Sequence, residues 1–277
     1  MRHPINEDGA STSMDKSDSD ALRNAVRLLE HASLAARLST MIGKPVELLG
    51  QALPAGASQA IATATTKSLE AALKVALLTI RGGPQKSSQL LHRALAVASG
   101  AVGGALGIFS LPLELPVSTI IILRSILDIA RSEGENLTDP ESTLSCVEVL
   151  GIGGRTETDN GAKSDYFVVR GILAKSVTEA ARFIAERGLV EEGSPVLVRL
   201  ITQVASRFGL VVSQKAAAQT IPVIGALGGA AINYAFIDLF QSVARGHFTV
   251  RRLERKYGKD LVFNVYERLR QDLGTAR

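Results

Sequence analysis

Two long stretches without one charged side chain, residues 94–113 and 216–237, constrain this chain more than any other feature. A helix rises about 1.5 Å per residue, so roughly twenty apolar residues cross the hydrocarbon of a bilayer, and both stretches reach that length. Their composition pulls the other way. Ala and Gly outweigh Leu and Phe, the first stretch runs into Leu111-Pro-Leu-Glu-Leu-Pro116, and the second carries Gln219, Pro222 and Asn233. Segments of this kind fit three settings: marginal membrane spans, the walls of a lipid-holding interior, or the core of an ordinary helical protein.

With 277 residues the chain has ample length for a hydrophobic core and needs no disulfide staple. Its single cysteine, Cys146, excludes an intrachain bridge and every cysteine-pair metal motif, which fits a reducing compartment. Aromatic residues make up only 4% and tryptophan is absent, which favours close helix packing and argues against base stacking on nucleic acid. The net charge of +4 and pI near 9.3 suggest an anionic surface nearby, not a nucleic-acid partner. Residues 1–20 show no cationic region followed by an apolar core; they read as a disordered tail ahead of a helical domain over 21–277. The expected location is cytoplasmic, peripheral to or embedded in the inner face of the cell membrane.

Apolar positions Leu22, Val26, Leu29 and Leu38 recur at near-helical spacing up to Gly43 and Pro45, which predicts an amphipathic first helix. A short helix over 46–53 follows Pro45, and a longer one places Ile61, Ala64, Leu69, Ala72, Leu73, Ala76, Leu77 and Ile80 on one face. Residues 90–131 read as two helices meeting at a kink between Pro112 and Pro116 that bears Glu114. Beyond it come a short helix over 141–150 ended by Gly151-Ile-Gly-Gly154, a polar loop over 155–165, and a helix over 167–187 stopped by Gly188. Ser194-Pro195 opens a helix over 196–208; the second apolar block, 215–240, passes into a basic segment over 244–257, and a last helix covers 261–273. No alternating strand pattern of useful length occurs, so the fold class is all-α, one multi-helix domain with its two Gly-rich blocks packed together.

Gly100, Gly103, Gly104 and Gly107 form overlapping small-residue pairs four apart, and Gly225 with Gly229 forms another, Gly228 lying between them. Bare backbone at that spacing lets helices approach closely, which plain packing explains; it also suits a groove that holds an acyl chain. Glu114 is the only charge between Arg93 and Arg124, and a carboxylate in apolar surroundings must reach water or a partner. Arg124, Asp128 and Arg131 share a helical face, most simply as a solvated ion-pair ladder; the sharper reading pairs Glu114 or Asp128 with Arg124 at a ligand headgroup, which Asn233 and Arg251 would help to orient. Arg245, His247, Arg251, Arg252, Arg255 and Lys256 crowd one segment beside Phe248, Leu253 and Tyr257. That pattern is either a solvated face or a surface drawn to anionic lipid. The four histidines are scattered and there is no His-Glu-x-x-His, Gly-x-Ser-x-Gly or phosphate-binding loop, so no catalytic residue, metal site or cofactor is assigned.

Ser99-Gly-Ala-Val-Gly-Gly104, Glu114-Leu-Pro116, Leu123-Arg-Ser-Ile-Leu-Asp128, Gly134-Glu135, Cys146-Val-Glu-Val149, Arg207-Phe-Gly209, Gly228-Gly-Ala-Ala-Ile-Asn233, His247-Phe248 and Val250-Arg-Arg-Leu-Glu-Arg-Lys-Tyr-Gly258 resemble, in this order, the pattern of the EcsC family. The resemblance covers about residues 60–266 and implies a helical, membrane-associated protein without a recognised catalytic apparatus. The family takes its name from a protein encoded beside an ABC transporter. The resulting expectation is a protein that binds an acyl lipid, a fatty acid or phospholipid, in a Gly-lined apolar cavity. Gly100, Gly103, Gly104, Glu114, Arg124, Asp128, Gly225, Gly228, Gly229 and Asn233 would form that site, and the basic segment would face an anionic membrane surface. The alternatives are a membrane-embedded accessory protein of an ABC transporter, and a lipid or peptide hydrolase using Glu114, Asp128 or His247.

Overall fold

A helix buried on every side organises the molecule. The computed structural model describes residues 14–31, 33–42, 57–80, 111–154, 165–188, 194–219 and 228–275. In chain order the helices are α1 (Lys16–Glu30), α2 (Leu34–Ile42), α3 (Ala57–Ile80), α4 (Leu111–Ser132), α5 (Pro140–Ile152), α6 (Asp165–Arg187), α7 (Pro195–Gln219), α8 (Gly228–Tyr257) and α9 (Lys259–Thr275). No strand occurs among the described residues, so the fold is all-α. In α5 every residue from Ser142 to Ile152 is buried, and α3, α4, α6, α7 and α8 all pack against it. With Leu144, Val147, Val149, Leu150 and Ile152 spread round most of its circumference, α5 has apolar surface to bury on several sides at once, which the middle of a bundle provides.

Local chemistry accounts for most boundaries. Asp139 accepts the Ser142 amide at 2.8 Å and Pro140 occupies the first turn, an N-terminal signature that starts α5 one residue before the expected 141. Gly188 takes φ 75° after α6, the left-handed stop expected of it. Gly151, Gly153 and Gly154 have another task. A side chain at Gly153 would strike the Phe240 ring and one at Gly154 would overlap the Arg207 carbonyl, so these glycines let α7 and α8 close onto the end of α5.

Several expectations are corrected. The first helix is two: Ser33 accepts the Ala36 amide at 3.2 Å and begins α2 afresh. Residues 16–20 are helical and not part of a tail, because Asp15 caps α1 through the Asp18 amide at 2.8 Å. Glu114 stands in the first turn of an uninterrupted α4; Pro112 lies where helix amides lack partners anyway, and Pro116 removes one bond without ending the helix. No break follows Phe208, since α7 continues to Gln219 and takes in the start of the second block; residues 228–240 of that block run on into the basic segment as one helix, α8. The helix expected over 46–53 and the pairing of the two Gly-rich blocks fall outside the described residues. Among the described residues one helix, α7, is long and apolar enough to cross a membrane. Its Leu197, Leu200, Val204 and Phe208 are buried in the core.

Candidate functional site

The turn between α4 and α5 aims a carboxylate inward. Gly134 takes φ 82°, its amide donates to the Arg131 carbonyl at 3.1 Å, and the Glu135 amide donates to the Ala130 carbonyl at 3.0 Å. This Schellman closure ends α4 and turns Glu135 into the interior, where it is 7% exposed. Ser142, Ser145 and Glu148 then follow at intervals of three along α5, a slowly winding stripe on a helix with no solvent-facing side.

That stripe forms one wall of a polar cavity of about 520 Å³, open to solvent on one side and bounded elsewhere by the α4–α5 turn, α6, α8 and the start of α9. Two arginines brace the opposite walls. Arg170 of α6 grips Glu254 of α8 with both terminal nitrogens at 2.7 Å. Arg251 of α8 holds Glu135 through Nε at 2.9 Å and Nη2 at 3.1 Å, and Arg255 reaches the same carboxylate while donating to the Glu133 carbonyl at 2.7 Å. Forked contacts of this kind fix both partners in place and leave their charges satisfied. Burial works to raise the Glu135 pKa, but the hydrogen bonds and charge of Arg251, then Arg255, outweigh it and hold the group below the usual range.

Glu148 differs from its neighbours. It is 2% exposed, no arginine clamps it, and Oε1 has no hydrogen-bond partner among the described residues. Burial pushes its pKa up to about 7, against the opposing pull of Arg170 and Arg251. One turn earlier, Ser145 is 1% exposed and its Oγ likewise lacks a partner. At the cavity mouth Lys259 is exposed and has no carboxylate partner among the described residues. Behind the wall, the Tyr166 hydroxyl contacts His247 Nδ1 at 3.1 Å and receives Arg170 Nη1 at 3.4 Å. Burial and the charges of Arg170 and Arg251 keep His247 neutral, its pKa well below the ordinary value.

The residues singled out in the sequence scatter across the molecule. Gly100, Gly103, Gly104 and Gly225 lie outside the described residues; Gly228 opens α8 and Gly229 is buried within it. Glu114 is buried, receives Lys215 Nζ at 2.6 Å and Gln219 Nε2 at 3.3 Å, and has Phe236 beyond the ammonium at 4.8 Å. Arg124 is exposed and ten residues further along α4, about 15 Å by helix rise, so it does not share a headgroup site with Glu114. Asp128 pairs with Arg131 at 3.3 Å, the ladder of the simpler reading. Asn233 is fully buried on α8.

The basic segment is also not one open surface. His247 is fully buried, Arg251 lies in the cavity wall and Arg245 is half-buried. Arg252 meets Glu133 at 2.8 Å and Asp18 at 3.1 Å, while Lys256 meets Asp18 at 2.6 Å and Asp15 at 3.1 Å. Acids from α1 and the α4–α5 turn neutralise this face of α8, though Arg255 and Lys256 keep about half their side chains exposed. Sequence reasoning gave no role to Ser145, Glu148 or Arg170, although Glu148 stands in the Cys146-Val-Glu-Val149 motif. The signal for Glu148 was present: it is the only charge between Ser142 and Ile152, the same oddity that drew attention to Glu114.

The EcsC protein family model matches residues 18–253, a span from the first turn of α1 into α8 that takes in the cavity wall except Glu254, Arg255 and Lys259. The chain belongs to the EcsC family. Neither a curated protein nor a solved structure matches this EcsC protein. Among its described residues no group of three or more His, Cys, Asp or Glu side chains is placed to hold a metal ion.

Proposed function

We propose that this EcsC protein binds a small polar ligand or lipid headgroup in the cavity between α5, α6 and α8. One observation carries the reading: Ser145 Oγ and Glu148 Oε1 are buried, face the cavity and have no partner among the described residues. Unmet buried groups cost about 1–3 kcal/mol each, so a molecule that supplies hydrogen-bond donors there recovers free energy on binding. The size is right as well, since small-molecule sites run from roughly 300 to 1,000 Å³. The clamped arginines supply rigid walls whose charges are already met, an arrangement suited to selecting a ligand by shape and donor pattern.

Native mass spectrometry of the full chain, with chemical analysis of whatever is released, tests this directly. A stoichiometric adduct carried by the native protein and lost from Glu148→Gln and Ser145→Val is the expected result. An adduct retained in full by both variants, or native protein that is bare, overturns the proposal.

A separate observation favours an acyl or membrane contact elsewhere. Leu73, Leu77, Leu197, Val198 and Ile201 line an apolar groove of about 320 Å³ between α3 and α7, and Val198 is 50% exposed. Val198→Asp should then weaken flotation of the protein with anionic liposomes; undiminished flotation would remove the groove from the account.

A further inference from the structure

We propose that the cavity ligand is a zwitterion: a protonated amine that docks on Glu148 at the deep end, joined to an anionic group that docks on Lys259 at the mouth. This inference rests on the cavity being a binding site. It follows from which of the wall charges are already spoken for. Arg170 is matched by Glu254 and Arg251 by Glu135, each by a two-point contact, so neither guanidinium calls for a ligand anion. Arg255 shares Glu135 with Arg251, so two cations lean on one carboxylate at the outer part of the wall, and Lys259 adds a third without a partner. Asp139 and Glu141 also line the mouth, so the formal charges there balance, and Lys259 stands out as an exposed cation without a carboxylate partner among the described residues. At the buried end it is acceptors that are unmet, because Glu148 Oε1 and Ser145 Oγ have no partner there.

The polarity of the site selects the polarity of the ligand. A protonated amine would donate to both Glu148 and Ser145, and a charge-assisted bond to a desolvated carboxylate is about twice as strong as a neutral one. An anion alone would find Glu148 repulsive once ionised, and a neutral molecule would leave Lys259 unused. Glu141 near the mouth and Glu148 lie seven residues apart on α5, about 10 Å along its axis, which limits the ligand to a short, extended molecule. The charged and titratable groups that face Glu148 or share its cavity are Glu141 on its own helix, Arg170 and Tyr166 from α6, Arg251, Glu254 and Arg255 from α8, and Lys259 from α9, with Glu135 and Asp139 in the turn. Although α3, α4 and α7 also pack on α5, they place no charged side chain in the cavity wall.

Docking an ammonium beside Glu148 favours its ionised form, so binding expels a proton when the pH is near or below 7. Calorimetric titration of the full chain with phosphoethanolamine, in two buffers of different ionisation enthalpy, reads this release. Affinity should rise about tenfold per pH unit up to near 7 and then level off. Glu148→Gln should weaken binding about tenfold or more and abolish the proton release, and thermal unfolding of the variant confirms that it is folded. Lys259→Met should weaken phosphoethanolamine and leave ethanolamine binding unchanged. No binding of phosphoethanolamine at millimolar concentration, or inorganic phosphate binding equally well and indifferently to Glu148→Gln, overturns the zwitterion. A neutral or purely anionic adduct in the native mass spectrum, lost on Glu148→Gln, would also overturn it while leaving the cavity as the binding site.

Discussion

Lys215 of α7 and Glu114 of α4 form an ion pair of 2.6 Å between side chains that are 0% and 3% exposed. Burial alone drives the Lys215 pKa down; the charge and hydrogen bond of Glu114 counter it in part. Breaking one side of such a pair leaves the other charge buried without compensation, at a cost of about 3–5 kcal/mol. Glu114→Leu and Lys215→Met, made singly, should each lower the urea-unfolding free energy by that order. The double variant should regain most of the loss, because two apolar side chains replace two charges together. Additive losses in the double variant would show that the pair does not act as a unit.

Glu148 makes stability depend on pH in an unusual direction. Its folded pKa, about 7, lies above the ordinary carboxyl value of 4.5, so the folded state holds a proton that the unfolded state has released. The stabilising contribution is full below pH 4.5 and is lost as pH rises through 7. Glu148→Gln should match the native protein at pH 4.5 and exceed it at pH 8 by on the order of 3 kcal/mol, read from chemical denaturation at each pH.

His247 acts on the acid side with the opposite sign. Its folded pKa is depressed, so the neutral ring costs nothing above the ordinary value of 6.5, and stability is lost as pH falls below that value while the unfolded chain takes up a proton. Relative to the native protein, His247→Gln should gain stability toward acid by at most about 1.4 kcal/mol per pH unit. Parallel stability curves below pH 6 would rule out a buried neutral imidazole.

Glycines divide by what surrounds them. A side chain at Gly154 would overlap the Arg207 carbonyl, and one at Gly246 would come within 2.7 Å of Leu29 and 3.2 Å of the Ala25 carbonyl. Gly154→Ala and Gly246→Ala should each destabilise by about 1–3 kcal/mol in thermal or chemical unfolding. Gly171, within α6 and with nothing inside 4 Å, is the contrast: Gly171→Ala should stabilise by up to about 1 kcal/mol.

Asp18 ties α1 to α8 by accepting from Lys256 at 2.6 Å, Tyr257 at 2.9 Å and Arg252 at 3.1 Å. The Lys256 hydrogen bond, opposed by burial and aided by Tyr257 and Arg252, holds its pKa below the usual 3.8, so the tie persists above that pH and weakens as pH falls through the lowered value. Asp18→Asn should speed tryptic cleavage at Arg23 and Arg27 at neutral pH. Equal cleavage rates would mean that apolar packing of Leu22, Val26 and Leu29 alone secures α1.

Features set by neighbours in the chain were legible in the sequence. The Gly188 stop, the first-turn Pro195 of α7 and the all-α class each follow from backbone preferences acting over a few residues. The family pattern was equally readable, because it is an order of short motifs. Partners for isolated charges were not. Glu114 plainly needed one, yet nothing local distinguishes Lys215, 101 residues away, from any other lysine. A run of six basic or imidazole side chains reads as a surface for anions until Asp15, Asp18, Glu133 and Glu135 arrive from distant segments to neutralise much of it. Glu148 shows the division most sharply: its isolation in an apolar run is a sequence fact, but a cavity in place of a cation at its side was decided by tertiary packing. Helix formation depends on interactions within one or two turns, whereas charge pairing and cavity shape depend on how whole helices are brought together.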